Sequence, residues 1–226
     1  VVRAGDTINT LTRKIKVATL LGTIQSTFTN FGYLRKVWQD NTEEERLLGV
    51  SLTGIMDSEL LNGRETGLAK TLEKLKKVAV DCNKEYAEKF NINQSTAITC
   101  VKPSGTVSQL VDSASGIHAR HNPYYIRTVR GDNKDPLTEF LKASGIPNEA
   151  DVMKKEHTTV FSFPMMAPKG SVCRTDMTAI EQLEIWKIYA KHWCEHKPSV
   201  TISVKEEEWV PVGAWCWENF EYLSGV

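Results

Sequence analysis

The chain has 226 residues, a formal net charge of zero and five cysteines. Its 41% apolar and 25% charged content is that of a globular domain, which excludes a disordered or fibrous chain. Neutrality excludes a global basic field for nucleic acid or a membrane surface, and no apolar run approaches the roughly 20 residues that span a bilayer.

The first element predicted is a helix. Asp6 or Thr7 can cap it, and Ile8, Leu11, Ile15, Ala18, Gly22, Gln25 and Phe28 then recur at three- and four-residue steps. Its second half is polar, through Thr23, Gln25, Ser26, Thr27, Thr29 and Asn30. Two readings stay open there, a helix end near solvent or a ligand-facing surface. Thr42-Glu43-Glu44-Glu45 reads as a surface turn. Arg46 to Met56, RLLGVSLTGIM, reads as a buried strand whose glycines, Gly49 and Gly54, admit close approach of another backbone or a ligand, and Asp57 stands at its end. Leu68, Leu72, Leu75, Ala79, Cys82, Tyr86 and Phe90 mark the clearest helix, with Cys82 on its buried stripe and so assigned to packing.

Thr96 to Leu110, TAITCVKPSGTVSQL, organises the rest. Thr96 to Val101 is rich in β-branched residues and reads as a buried strand. Pro103 cannot donate to a ladder and biases Lys102 out of the helical region, so the strand ends there. Ser104, Gly105 and Thr106 then present backbone N–H groups with little side-chain bulk, and Val107 to Val111 continues as a helix. A helix start has unpaired N–H groups and about half a positive charge. Strand, glycine turn and helix start together make a candidate anion cradle for phosphate, at Pro103, Ser104, Gly105, Thr106 and Val107. Most such turns in α/β proteins bind nothing, and neither GxxxxGK[ST] nor GxGxxG occurs.

Ser113 to Pro123 reads as a polar, flexible segment, the sort of loop where function concentrates. It carries His118 and His121, without Cys, Asp or Glu at metal-ligand spacing, so no metal is expected. Tyr124 to Arg130 reads as a strand. Arg120, Arg127 and Arg130 are candidates to meet phosphate, although arginines of this kind are usually ion-paired. Pro136 to Ala143 reads as a short helix and Thr158 to Met166 as a strand. Thr175 or Asp176 is expected to cap a helix carrying Ala179, Leu183, Trp186, Ala190 and Trp193. Ser199 to Val204 reads as the next strand. Glu206 to Tyr222 reads as helical, broken at Pro211, with Trp209, Trp215, Trp217 and Phe220 assigned to the core.

Alternating helices and strands predict a single α/β region over residues 1–226, with about five largely parallel strands and no separate second domain. Ligands in such sheets sit at the carboxyl ends of strands, which makes the Pro103 turn the best candidate site. Cys82, Cys100, Cys173, Cys194 and Cys216 are scattered and odd in number, with no CxxC, so reduced thiols and a cytoplasmic location are expected. No secretory leader is recognised. Val1-Val2-Arg3 and Leu223-Ser224-Gly225-Val226 read as ends cut from something longer.

Several blocks, VVRAGDT, LGTIQSTFTNF, YLRKVW, NTEEERLLGVSLTGIMDS, TCVKPSGTVSQL, ASGIHARHNPYYIRTVR and VFSFPMMAPKG, together resemble the monomeric class II ribonucleotide reductases. The resemblance runs over almost the whole chain. It implies the second half of a ten-stranded α/β barrel built from two five-stranded parallel halves. It implies that Pro103, Ser104, Gly105 and Thr106 hold substrate phosphates. For the complete enzyme it implies adenosylcobalamin as cofactor, a ribonucleoside triphosphate as substrate, a dithiol reductant such as thioredoxin, and the remaining half of the reductase as partner. The family's radical Cys and Glu lie on a finger loop of pattern Asn-Pro-Cys-x-Glu, which does not occur here, and the reducing cysteines are not identifiable. No catalytic residue is therefore assigned, and an internal or downstream piece is expected, inactive in isolation. A non-catalytic nucleotide- or phosphate-binding α/β domain is the competing expectation. An unrelated phosphoryl-transfer enzyme is disfavoured by the missing Walker Lys and the lack of clustered acidic metal ligands.

Overall fold

A computed structural model describes residues 1–105 and 107–223. The chain divides into two compact units, Val1–Arg120 with the chain from Lys169 onward, and His121–Pro168.

The first unit opens with α1, Ile8–Gln25, capped by Thr7, whose hydroxyl and backbone exchange hydrogen bonds with Thr10. The buried face of α1 runs Leu11, Ile15, Thr19, Thr23. Of the polar second half only Thr23 is buried; Gln25 and Asn30 are exposed and Ser26, Thr27 and Thr29 are half-buried, which agrees with a helix end near solvent. Thr23 donates to the Thr19 carbonyl, and the Asn83 amide donates to both Thr23 and Ser95. Buried polar groups need such partners, and here one helix supplies them to another. α2, Lys36–Glu45, was not anticipated: the expected surface turn at Thr42–Glu45 is its last turn, closed by Arg46 in the left-handed region at φ 47°. It buries none of its residues, so it writes no apolar stripe into the sequence.

The strand expected over Arg46 to Met56 is far shorter. β1, Val50–Ser51, pairs in parallel with β2, Thr99–Cys100. At Gly54, with φ +84°, the chain turns into a 3-10 turn, Ile55–Asp57, and a Cβ there would lie 2.4 Å from the Val2 carbonyl oxygen. The close backbone approach expected of that glycine is thus real. α3, Leu68–Phe90, buries Leu68, Leu72, Leu75, Ala79, Cys82, Asn83 and Ala87, with Cys82 in the packing role expected. Helix α4, Val107–Leu110, is a single turn.

The second unit holds β3, Tyr124–Asp132, α5, Pro136–Ala143, β4, Asn148–Ala150, and β5, Thr158–Met166. Sheet order is β3-β5-β4 and both pairings are antiparallel, with Tyr124 opposite Met166 and Asp132 opposite Thr158. This corrects the expectation of about five largely parallel strands. A strand–helix–strand crossover gives a parallel pair. Inserting β4 between α5 and β5 reverses the direction once more. β4 is three exposed residues, Asn148, Glu149 and Ala150, and leaves no strand signature. Pro164 is tolerated in β5 because β4 pairs only with Thr159 to Phe161, so no ladder on that side needs its missing N–H.

Back in the first unit, α6, Ala179–His192, is capped by Thr178 with Glu181, while Thr175 and Asp176 lie in a preceding 3-10 turn. Ser199 to Val204 forms no strand; Ser199 donates its N–H to the Val101 carbonyl. Pro211 does not break α7, Trp209–Glu218, because it occupies the third position, where a helical N–H has no internal acceptor. Of the aromatics assigned to the core there, only Trp215 is buried; Trp209, Trp217 and Phe220 are exposed. The core gathers Leu11, Ile55, Leu72, Leu75, Val101, Trp186 and Trp193 around the β1–β2 pair.

Candidate phosphate site and its support

The turn leaves β2 through buried Val101 and emerges at Pro103, which is exposed. Lys102 is held on both sides: its N–H donates to Ser51 Oγ at 3.1 Å and its ammonium to the Lys197 carbonyl at 2.7 Å. Ser104 is half-buried and faces inward. Its Oγ accepts from the Ser108 N–H at 3.0 Å, and Ser108 Oγ hydrogen-bonds to the Ser104 carbonyl. The Ser104 N–H donates to Ser115 Oγ at 3.0 Å, and that hydroxyl is 3.2 Å from the Ser104 carbonyl. Of the expected cradle, then, the Ser104 N–H is already satisfied by the protein. Thr106 lies outside the described residues. Gly105 and Val107 are exposed, and neither N–H has a partner among the described residues. A Cβ at Gly105 would meet nothing within 4 Å, and its φ is not in the left-handed region. The four-residue α4 contributes little macrodipole, so backbone N–H groups must carry any anion binding.

The segment from Ser113 onward is not the flexible loop expected. Ser113, Ala114, Gly116, Ile117 and Arg120 are all buried. Gly116 donates to Thr53 Oγ1 at 2.9 Å, Gly54 donates to the Ala114 carbonyl at 2.7 Å, and Ala114 donates to Asp57 Oδ2 at 2.8 Å. Asp57 and Arg120, both under 5% exposed, form a two-pronged ion pair, Nε to Oδ1 at 2.8 Å and Nη2 to Oδ2 at 2.9 Å. Arg120 also reaches Asp112 Oδ1 at 2.9 Å, and Asp57 accepts from Ser171 Oγ. Such forked pairs fix geometry as well as charge. Arg120 is thus committed to carboxylates and is not a phosphate ligand. In the second unit, Arg130 pairs with Asp151 at 2.8 Å.

Both ring nitrogens of His118 are engaged in hydrogen bonds. Its Nε2 accepts from the Thr201 N–H at 3.0 Å, which leaves Nδ1 to donate to the Ser115 carbonyl at 2.8 Å. No group of three metal-ligating side chains occurs among the described residues. The five cysteines are free thiols, and all but Cys216 are buried. Burial, with Cys100 nearby, pushes the Cys194 thiol up to about 12. Burial also raises Cys82, Cys100 and Cys173 above the ordinary thiol value. The Asp57–Arg120 pair and the role of Ser115 escape sequence reading, because the partners are 63 and 11 residues apart and follow no motif.

No protein-family model matches the chain. It is 29% identical over 195 residues to the adenosylcobalamin-dependent ribonucleoside-triphosphate reductase of Lactobacillus delbrueckii subsp. bulgaricus, covering 74% of this chain and 26% of that protein. The enzyme of the same name from Euglena gracilis is 29% identical over 174 residues, covering 75% and 24%. The chain spans about a quarter of the length of these relatives. A crystal structure of a B12-dependent, class II ribonucleotide reductase superposes with a TM-score of 0.79 at 24% identity, over 94% of this chain and 35% of that one. The fold is therefore an α/β fold shared with that reductase.

Proposed function

We propose, taking as premise that this chain is a homologue of class II ribonucleotide reductases over most of its length, that it forms part of such an enzyme. The enzyme would convert ribonucleoside triphosphates to 2′-deoxyribonucleotides, and this segment would supply the turn that binds the substrate phosphates together with part of the barrel wall. Its partners would be the rest of the reductase and a dithiol reductant.

One observation carries the binding role. At this turn the N–H groups of Gly105 and Val107 have no hydrogen-bond partner among the described residues, both residues are exposed, and the space where a Gly105 Cβ would sit is empty. Phosphate oxygens are strong acceptors and approach a backbone closely only where no Cβ intervenes. Pro103 sets the direction in which the chain leaves β2, and Ser104 caps the following turn with its hydroxyl, leaving the outer N–H groups to the ligand.

Adenosylcobalamin, when bound to the complete enzyme, would supply the radical that starts reduction. No described residue of this chain is assigned to the corrin. The groove of about 680 Å³ beside α1 is an open surface feature lined by Arg3, Asp6, Arg13, Lys14 and Leu21, with Lys14 ion-paired to Asp6. No cysteine of the chain is assigned to radical or reducing chemistry.

Gly105→Val in the full-length protein that carries this sequence tests the reading. KM for all four ribonucleoside triphosphates is expected to rise about tenfold or more, equivalent to about 1.4 kcal/mol of lost binding. Thermal stability should be unchanged, because a Cβ at this position meets no described protein atom within 4 Å. An unchanged KM would overturn the phosphate assignment.

A further inference from the structure

We infer that Ser115 is a positioning residue for the phosphate turn, held in place by the buried Asp57–Arg120 pair; this rests on the phosphate reading above. The turn is anchored unequally. Its start is fixed by β2 and by Lys102. Beyond Pro103, the described polar contact that ties the turn to another segment is the one made by Ser115. Its hydroxyl oxygen receives the Ser104 N–H and lies close enough to the Ser104 carbonyl to donate back. One hydroxyl thereby holds both backbone groups of the residue that precedes Gly105. It also withdraws the Ser104 N–H from the ligand, so the anion is offered the N–H groups further along the turn.

Ser115 can act this way because its own segment is anchored on every side by hydrogen bonds and an ion pair. On one side, Ala114 is bonded to Asp57 and Gly54. On the other, Gly116 adopts φ +55°, donates to Thr53, and stands so close to the turn that a Cβ would lie 3.0 Å from the Lys102 carbonyl oxygen. The His118 ring donates to the Ser115 carbonyl and closes the segment from behind. Further on, Arg120 clamps the loop to Asp57 and to Asp112, which itself sits at φ 45°. A buried forked ion pair contributes little net stability against an apolar replacement, but it fixes one geometry. Here the geometry it fixes is where the Ser115 hydroxyl stands.

The test uses the full-length protein with Ser115→Ala and Ser115→Thr, read beside Gly105→Val. Ser115→Ala is expected to raise KM about tenfold for all four ribonucleoside triphosphates alike, while kcat changes less than twofold. Ser115→Thr, which keeps a hydroxyl at the same carbon, is expected to return KM to within about twofold of the parent. A uniform shift across bases is the signature of a phosphate effect, and rescue by Thr is one that a general packing defect would not give. If Gly105→Val raises KM and Ser115→Ala does not, the phosphate turn stands and the positioning role falls. If Ser115→Ala lowers kcat and melting temperature together, with KM unmoved, its role is structural only and the inference is wrong. If neither variant moves KM, the phosphate reading itself fails, and this inference with it.

Discussion

At the scale of single residues, Asp57 and Arg120 matter most to the first unit. Each is under 5% exposed and each is the other's main partner. Removing one leaves an unpaired charge in the interior, which costs about 3–5 kcal/mol. Asp57→Ala and Arg120→Ala are each expected to lower the unfolding free energy from urea titration by that margin, and loss of less than about 1 kcal/mol would show that the pair is open to water. Gly116 is the second sensitive position. At φ +55° and against the Lys102 carbonyl, Gly116→Ala should destabilise by about 1–2 kcal/mol. The Cys194 thiol gives a pH dependence. Burial, and next the nearby Cys100, raises it from 9.0 to about 12, so the folded state holds this proton more tightly than the unfolded chain. The associated stability is complete below about pH 9 and declines as pH rises towards 12. Melting temperatures measured between pH 8 and 11 should show that decline, and Cys194→Ala should remove it. None of this makes a cysteine here the radical thiol: Cys100→Ser in the complete enzyme is expected to leave the cobalt-coupled radical signal intact.

At the scale of elements, periodicity told the truth wherever a helix packs one apolar face. α3 follows its stripe from Leu68 to Cys82, after which the buried position shifts to Ala87 while Tyr86 is half-buried and Phe90 exposed, and α1 follows its own through Leu11 and Ile15. It failed where the buried face is polar, as at Thr19 and Thr23, and where an element buries nothing, as in α2. β3 and β5 carry β-branched and aromatic residues and span nearly the expected ranges, yet their direction was not legible, because it depends on β4. Pro211 shows the same limit from the other side. A proline signals a break only when the lost N–H would have had an acceptor, and at the third position of α7 it would not. Pro211→Ala should therefore change stability by less than about 0.5 kcal/mol, within the range of ordinary surface substitutions. A loss of 2 kcal/mol or more would mean that the proline sets the path of the chain into α7.

At the scale of the whole molecule, the apolar residues of the strand segments, Leu48, Val50, Leu52, Ile98 and Val101, are all buried. Surplus apolar surface lies on helices, at Val17, Leu21 and Phe28 of α1 and its exit and at Trp209 and Trp217 of α7, and on the sheet of the second unit, at Tyr124, Ile126, Val129 and Met166. Exposed apolar side chains in such number, where they form a patch, mark an interface or an aggregation surface. The isolated 226-residue chain is accordingly expected to bind an apolar dye and to self-associate in sedimentation; a cooperative, dye-free monomer would refute that. The sequence by itself determined the α/β class, the apolar-striped helices, the turn at Pro103 and the resemblance to class II reductases, because each is written in local periodicity, in proline and glycine chemistry, or in contiguous blocks. Only the tertiary structure decided the strand directions, the shortness of the β1–β2 pair, and the bonds of Ser115 to Ser104 and Asp57 to Arg120. Those depend on groups brought together from distant parts of the chain, and no local pattern encodes which partner a buried polar group will find.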